Sequence, residues 1–83
     1  MKKTIIKPSV VTENKFIKAD GYNCISIINK GETDVFLEDN IQVKPDEAFC
    51  WDNDSDVIVE TNITIRFIGA GVNKALIIKT YIK

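Results

Sequence analysis

The stretch Trp51-Asp52-Asn53-Asp54-Ser55-Asp56 comes nearest in this chain to a reactive site. Asp52, Asp54 and Asp56 alternate as the first carboxylates of a calcium loop do, offering hard oxygen ligands to a hard cation. Such a loop then needs glycine at its sixth position and glutamate at its twelfth, where this chain has Val57 and Ile63. A solvated acidic turn accounts for the segment better, because short Asx side chains bond their own backbone. The other carboxylates concentrate at turn residues (Glu32, Asp34, Asp39, Asp46, Glu47), where water screens them and no cleft drives two pKa values apart. Gly69-Ala70-Gly71 lacks the third glycine and the following helix of a phosphate-cradling fingerprint; a hairpin turn needing positive φ explains it.

What is missing narrows the chemistry further. The 83 residues include no His, a single Arg (Arg66) and three Ser. His general bases, Ser-His-Asp triads and bidentate Arg clamps on phosphate are therefore excluded. Two cysteines without histidine cannot complete a four-ligand zinc site. The chain is expected to be no enzyme and to need no cofactor and no metal. Eleven basic and twelve acidic residues leave a net charge of −1 with no basic stripe, so no nucleic-acid partner is expected. No apolar run reaches the length of a membrane span or a secretory signal, which points to no membrane partner and synthesis in a reducing cytosol. There Cys24 and Cys50 are expected to be buried thiols behaving as small apolar groups. Among the aromatics, Trp51 beside the acidic turn is the candidate for a binding tip, whereas Phe49 or Trp51 plugging a core is the competing reading.

The elements that would position these residues are strands. Fourteen Ile, seven Val and six Thr stand against two Leu and four Ala, and β-branched side chains favour the pleated surface over the helix. Turn residues recur at short intervals and bound expected strands at 3–6, 9–12, 15–18, 22–29, 33–38, 41–44, 47–51, 57–68 and 73–82. That is a small all-β chain, an antiparallel β-sandwich or flattened barrel, with residues 1–18 as an N-terminal arm or edge strands and residues 19–83 as the sandwich domain. Val57, Val59, Thr61, Ile63, Ile65 and Phe67 share one parity against Glu60, Asn62, Thr64 and Arg66, so one face is dry and the other wet. Strands 22–29 and 75–82 differ: Ile25 and Ile27 oppose Cys24 and Ile28, and Ala75, Ile77 and Tyr81 oppose Leu76, Ile78 and Ile82. A two-layer sandwich buries one face per strand, so the second faces need a cover, supplied by the N-terminal arm or by another subunit.

Across residues 21–68 a longer pattern runs through Gly21-Tyr22-Asn23, Ile25-Ser26-Ile27-Ile28-Asn29-Lys30-Gly31, Val35-Phe36-Leu37, Ile41-Gln42-Val43-Lys44-Pro45-Asp46-Glu47 and Ile63-Thr64-Ile65-Arg66-Phe67. It resembles the small β-sandwich accessory virion proteins of tailed bacteriophages, including the crAss-like group. In those chains a strand ends in Asn-x-Gly and a Pro-Gly-Glu turn follows; here Asp46 replaces the glycine. The resemblance implies a non-enzymatic structural role, decorating or stabilising a capsid or anchoring a head fibre. It also implies self-association as a dimer or trimer, contact with the major capsid or other virion proteins, and a mature location in the virion after synthesis in host cytoplasm. The expected interface is Ile5, Ile6, Val10, Val11, Phe16, Ile17, Ile25, Ile27, Ile77 and Tyr81. The alternative is a carbohydrate- or receptor-binding module using the 51–56 loop, with Trp51, Asp52, Asp54 and Asp56 at its tip.

Overall fold

The strand expectations are met in kind and corrected in detail by a computed structural model of the chain, which describes residues 3–38, 40–51 and 58–82. Eight strands form among the described residues: β1 (Thr4–Val11), β2 (Lys15–Ile17), β3 (Cys24–Asn29), β4 (Asp34–Leu37), β5 (Ile41–Val43), β6 (Ala48–Trp51), β7 (Ile63–Ile68) and β8 (Ala75–Ile82). No helix occurs among the described residues. The strands make two four-stranded antiparallel sheets, ordered β1-β8-β3-β6 and β2-β7-β4-β5. Only β4 and β5 are successive strands paired in one sheet; every other connection crosses to the opposite layer. This is the strand order of a jelly roll, a sandwich of two interleaved Greek keys.

Within the segment 1–18 the described residues supply two edge strands, β1 and β2. β1 borders the first sheet and β2 borders the second, so the segment contributes to both layers. The expected break at Lys7-Pro8-Ser9 is absent: β1 runs through Pro8, which sits opposite Ile78. Proline has no N–H to donate, but an edge strand has one side that needs none. Conversely, the long strand expected at 57–68 is ladder-paired only from Ile63 to Ile68. Of its earlier residues, Val59 is held by its N–H donating to the Tyr22 carbonyl (2.8 Å).

The core lies between the sheets, with Val11, Ile25, Ile27, Ala75, Ile77 and Tyr81 facing Ile17, Val35, Leu37, Val43, Ile63 and Ile65. The period-2 reading of 57–68 holds from Ile63 on, where Ile63 and Ile65 are buried, Phe67 is half-buried and Arg66 is exposed. Before it Val59 is buried and Glu60 exposed, but Thr61 is exposed against expectation and Val57 lies outside the described residues. Two turns tie the layers together. Gly69 and Gly71 both sit at φ 127, and their turn carries the chain from β7 in one sheet to β8 in the other instead of closing a hairpin. In the β5–β6 turn, Glu47 N–H donates to the Lys44 carbonyl (2.9 Å), with Pro45 second and Asp46 third at φ 68. That is a type II turn, so Asp46 adopts the conformation glycine would. Asp46→Gly should therefore raise stability by about 0.5–1 kcal/mol in a urea titration, because the left-handed conformation no longer costs a Cβ clash.

Candidate functional site

Three places on the fold could carry function. The first is the only cluster of charged and aromatic groups whose titration is shifted among the described residues. Register places Lys7 opposite Lys79 on the inner face of the first sheet. Two like charges in direct opposition repel. Each is answered by a neighbour: Lys7 Nζ lies 5.1 Å from the Tyr81 ring centre, Lys79 Nζ lies 5.3 Å from that of Tyr22, and Lys79 bonds Asp20 at 3.4 Å. Tyr81 donates its hydroxyl to Asp20 Oδ1 at 2.8 Å, and the two tyrosine rings meet edge to face at 6.5 Å. Burial alone would raise the Asp20 carboxyl, but the Tyr81 hydrogen bond and the Lys79 and Lys7 charges outweigh it and hold it below its ordinary value. Burial, reinforced by the Asp20 hydrogen bond and charge, pushes the Tyr81 phenol up to about 12. A phenol held neutral is the opposite of an activated base or nucleophile. The cluster is a structural clasp.

The clasp has a pH signature. Folding favours the neutral phenol, so its stabilisation is complete below pH ~10 and is lost as pH rises from there through about 12. Tyr81→Phe should cost about 1 kcal/mol at neutral pH through the lost hydrogen bond. It should also flatten the alkaline decline relative to the wild type, read from urea midpoints at neutral and alkaline pH. Equal alkaline decline in both proteins would show that Tyr81 does not drive it.

The second place is the seam between β5 and β6, which are edge strands of opposite sheets. Their type II turn closes one end, and the seam opens at the other, where a cleft of about 280 Å³ lies between the layers. Buried Ile25, Leu37 and Ile63 line it together with Phe49 and Trp51 of β6, Ile41 of β5, and Ile58 and Val59. Trp51 shares the inward parity of Phe49 and Ile25, yet half its surface is exposed (53%), because it stands at the open mouth. The polar rim consists of Glu38, Glu60 and Thr61. Glu38 sits at φ 53, and its Oε1 and N–H clasp the N–H and carbonyl of Thr64 at 2.6 and 3.1 Å. Asp52, Asp54 and Asp56 of the expected tip lie outside the described residues. Among the described residues no group of three or more carboxylates or cysteines could hold a metal.

The third place is the outer face of the first sheet. Register assigns it thirteen positions: Thr4, Ile6, Pro8 and Val10 on β1; Leu76, Ile78, Thr80 and Ile82 on β8; Cys24, Ser26 and Ile28 on β3; Ala48 and Cys50 on β6. None carries a charge, and no described element overlies them. The outer face of the second sheet shows what a solvated face looks like here, with Asp34, Gln42, Thr64 and Arg66 beside Phe16 and Phe36. The expected interface thus needs correcting at six of its ten residues. Val11, Ile17, Ile25, Ile27, Ile77 and Tyr81 are buried in this chain's own core, whereas Ile5, Ile6, Val10 and Phe16 are accessible. The second faces of β3 and β8 are the uncovered ones, because β1 lies beside β8 and not across it. Cys24 and Cys50 are thiols, half-buried and exposed respectively, and not core residues as expected: strand parity turns both outward.

Sequence reasoning missed Glu38, Ile41, Ile58 and Glu60 as cleft residues. Ile58 carried a signal, being apolar in the otherwise polar set of Glu60, Asn62, Thr64 and Arg66. No protein-family model, curated protein or solved structure matches the chain.

Proposed function

We propose that the chain is a non-enzymatic assembly component that associates with copies of itself through the outer face of its first sheet. The observation that carries this reading is the absence of any charge from thirteen contiguous sheet positions. Twenty-six strand residues at ~3.3 Å rise and ~4.8 Å spacing give the sheet roughly 400 Å² in projection, and side-chain relief adds accessible surface beyond that. Two copies packed face to face bury both, on the order of 1,000 Å² in total, which reaches the lower bound of a specific interface. A two-fold pairing uses the same patch twice and leaves no edge growing. The sheets themselves would stack ~10 Å apart, as in any sandwich.

Within this reading the finer role is a virion protein of a tailed phage, decorating or stabilising the shell or anchoring a fibre, with capsid or other virion proteins as further partners. Its supports are the resemblance across residues 21–68 and, by fold analogy alone, the jelly-roll order common among capsid domains. Analytical ultracentrifugation at micromolar concentration should find the wild type oligomeric. Ile78→Glu, at the centre of the face, and Ile6→Lys, where the side chain is 61% exposed, should give folded monomers with melting temperatures close to the wild type measured as monomer. A wild type that sediments as a single chain defeats the proposal, as does an oligomer untouched by both substitutions. Mass spectrometry of purified particles tests the virion assignment separately.

A further inference from the structure

We infer that the seam between β5 and β6 is a docking groove for an extended, basic-apolar peptide segment of a partner protein. It is independent of the self-association just proposed, because Phe49 and Trp51 point inward while Ala48 and Cys50, on the same strand, point to the outer face.

Three observations carry it. Both strands that flank the seam are edges: β6 pairs only with β3 and β5 only with β4 among the described residues. An edge offers a row of main-chain groups that an incoming strand can extend. The seam also contains two adjoining hollows, which share Ile41 and Phe49. A bulky side chain from an extended segment would drop into the 280 Å³ cleft at Trp51, and the segment would continue past Phe49 towards the turn. Finally, the charge along both hollows has one sign. Glu38 and Glu60 border the first and Glu47 the second, and among the described residues no lysine or arginine lines either. Glu38 is held in place by its two bonds to Thr64, in a left-handed backbone conformation of the kind retained at functional positions.

The chemistry selects the occupant. Eight of the eleven residues around the main cleft are apolar, so a sugar ring seated there would leave most of its hydroxyls without partners. A bulky apolar side chain loses nothing by entering, and flanking lysine or arginine side chains reach the carboxylates on the rim. The cleft is at the small end for ligand sites, room for one side chain and not for an extended polymer. Affinity then depends on main-chain pairing along the edge as much as on the pocket.

Trp51 is the only tryptophan and stands on the cleft wall, so its fluorescence reports occupancy directly. The probe is the acetylated, amidated peptide Lys-Thr-Phe-Thr-Lys, compared with Glu-Thr-Phe-Thr-Glu and Lys-Thr-Ala-Thr-Lys. The first should shift Trp51 emission saturably, and the other two should bind at least about tenfold more weakly, a difference expected of charge selection and of an empty pocket. Glu60→Lys, an exposed rim substitution that leaves the core alone, should weaken the lysine peptide several-fold and strengthen the glutamate peptide. The same responses should appear in the Ile78→Glu protein, which separates this groove from the outer face. No saturable change at millimolar lysine peptide, equal affinity for the two charge forms, or a Glu60→Lys protein that responds like the wild type would each overturn the inference.

Discussion

Replacing Asn29 with alanine should remove roughly 3–5 kcal/mol of folding stability, a large share of what a chain this size is expected to have. Asn29 ends β3 with no exposed surface, and its side chain makes three bonds inside the fold. Nδ2 donates to the carbonyls of Thr33 (2.7 Å) and Val43 (2.9 Å), and Oδ1 accepts from the Gly31 N–H (3.0 Å). Its backbone is engaged as well, donating to the Glu47 carbonyl (3.0 Å) and accepting from the Asp46 N–H (2.9 Å). One residue therefore joins the β3–β4 connection to the β5–β6 turn across the two sheets. Alanine leaves two carbonyls and an N–H without side-chain partners where water has poor access, and each such group costs about 1–3 kcal/mol. Asn29→Asp should be worse at neutral pH, because a carboxylate would face two carbonyl oxygens. Its folded-state pKa would lie above the unfolded value of ~3.9, so the deficit should shrink as pH falls towards that value and grow as pH rises through the folded pKa. Urea midpoints of both variants at acid and neutral pH measure this. A loss below about 1 kcal/mol for Asn29→Ala would show that the three bonds are replaced by solvent.

Asn29 also marks the boundary of what could be read in advance. Its place in an Asn-x-Gly turn was legible, since a strand pattern ends there and glycine follows two residues later. Its partners were not: the Val43 carbonyl is fourteen residues away and belongs to the opposite sheet. The same division runs through the fold. Period-2 alternation located β7 and the two-sided character of β3 and β8, because burial acts on each strand's own pleat. Alternation could not say which half of a two-sided strand meets the other sheet. The pattern alone assigns Ile25, Ile27 and Ile77 to the interface, yet they are the core half, while Ile28, Leu76 and Ile78 look outward. That choice is made by pairing register across β8, a non-local quantity.

Local rules also misled where an edge relaxes them. Pro8 ends a strand by any central-strand criterion, but on β1 its missing donor lies where no neighbour asks for one. Trp51 was legible as the exposed aromatic, since it adjoins an acidic turn and ends a short apolar strand. The glutamates that give its cleft a sign were not, because Glu38 and Glu60 come from segments twenty-two residues apart and meet only when the layers close. The two outer faces, one uncharged and one carrying Asp34 and Arg66, differ for the same kind of reason: the strands interleave, so neighbours in sequence are dealt to opposite sheets.

The remaining large effect concerns the glycine of that same turn. Gly31→Ala should lower stability by about 2–4 kcal/mol, although the position is only half-buried and its φ is ordinary. The cause is proximity. A Cβ built on Gly31 would run into the backbone carbonyl oxygen of Val72 and lie 2.6 Å from the backbone nitrogen of Lys74. Neither is a side chain that can swing aside. The two segments cannot separate cheaply either, for Lys30 N–H donates to the Lys74 carbonyl (2.9 Å) and Glu32 N–H to that of Val72 (2.7 Å), one bond on each side of the glycine. The methyl group must therefore break one of those bonds or shift the segment leading into β8. Displacement there would propagate through Thr33, whose hydroxyl bonds Asn73 Oδ1 at 2.6 Å. Lys30→Ala, one residue earlier and exposed, is the control and should change stability by less than about 0.5 kcal/mol. If Gly31→Ala and Lys30→Ala unfold at the same urea concentration, the close approach of these two backbones is wrong. The register that seats β8 between β1 and β3 would then need revision.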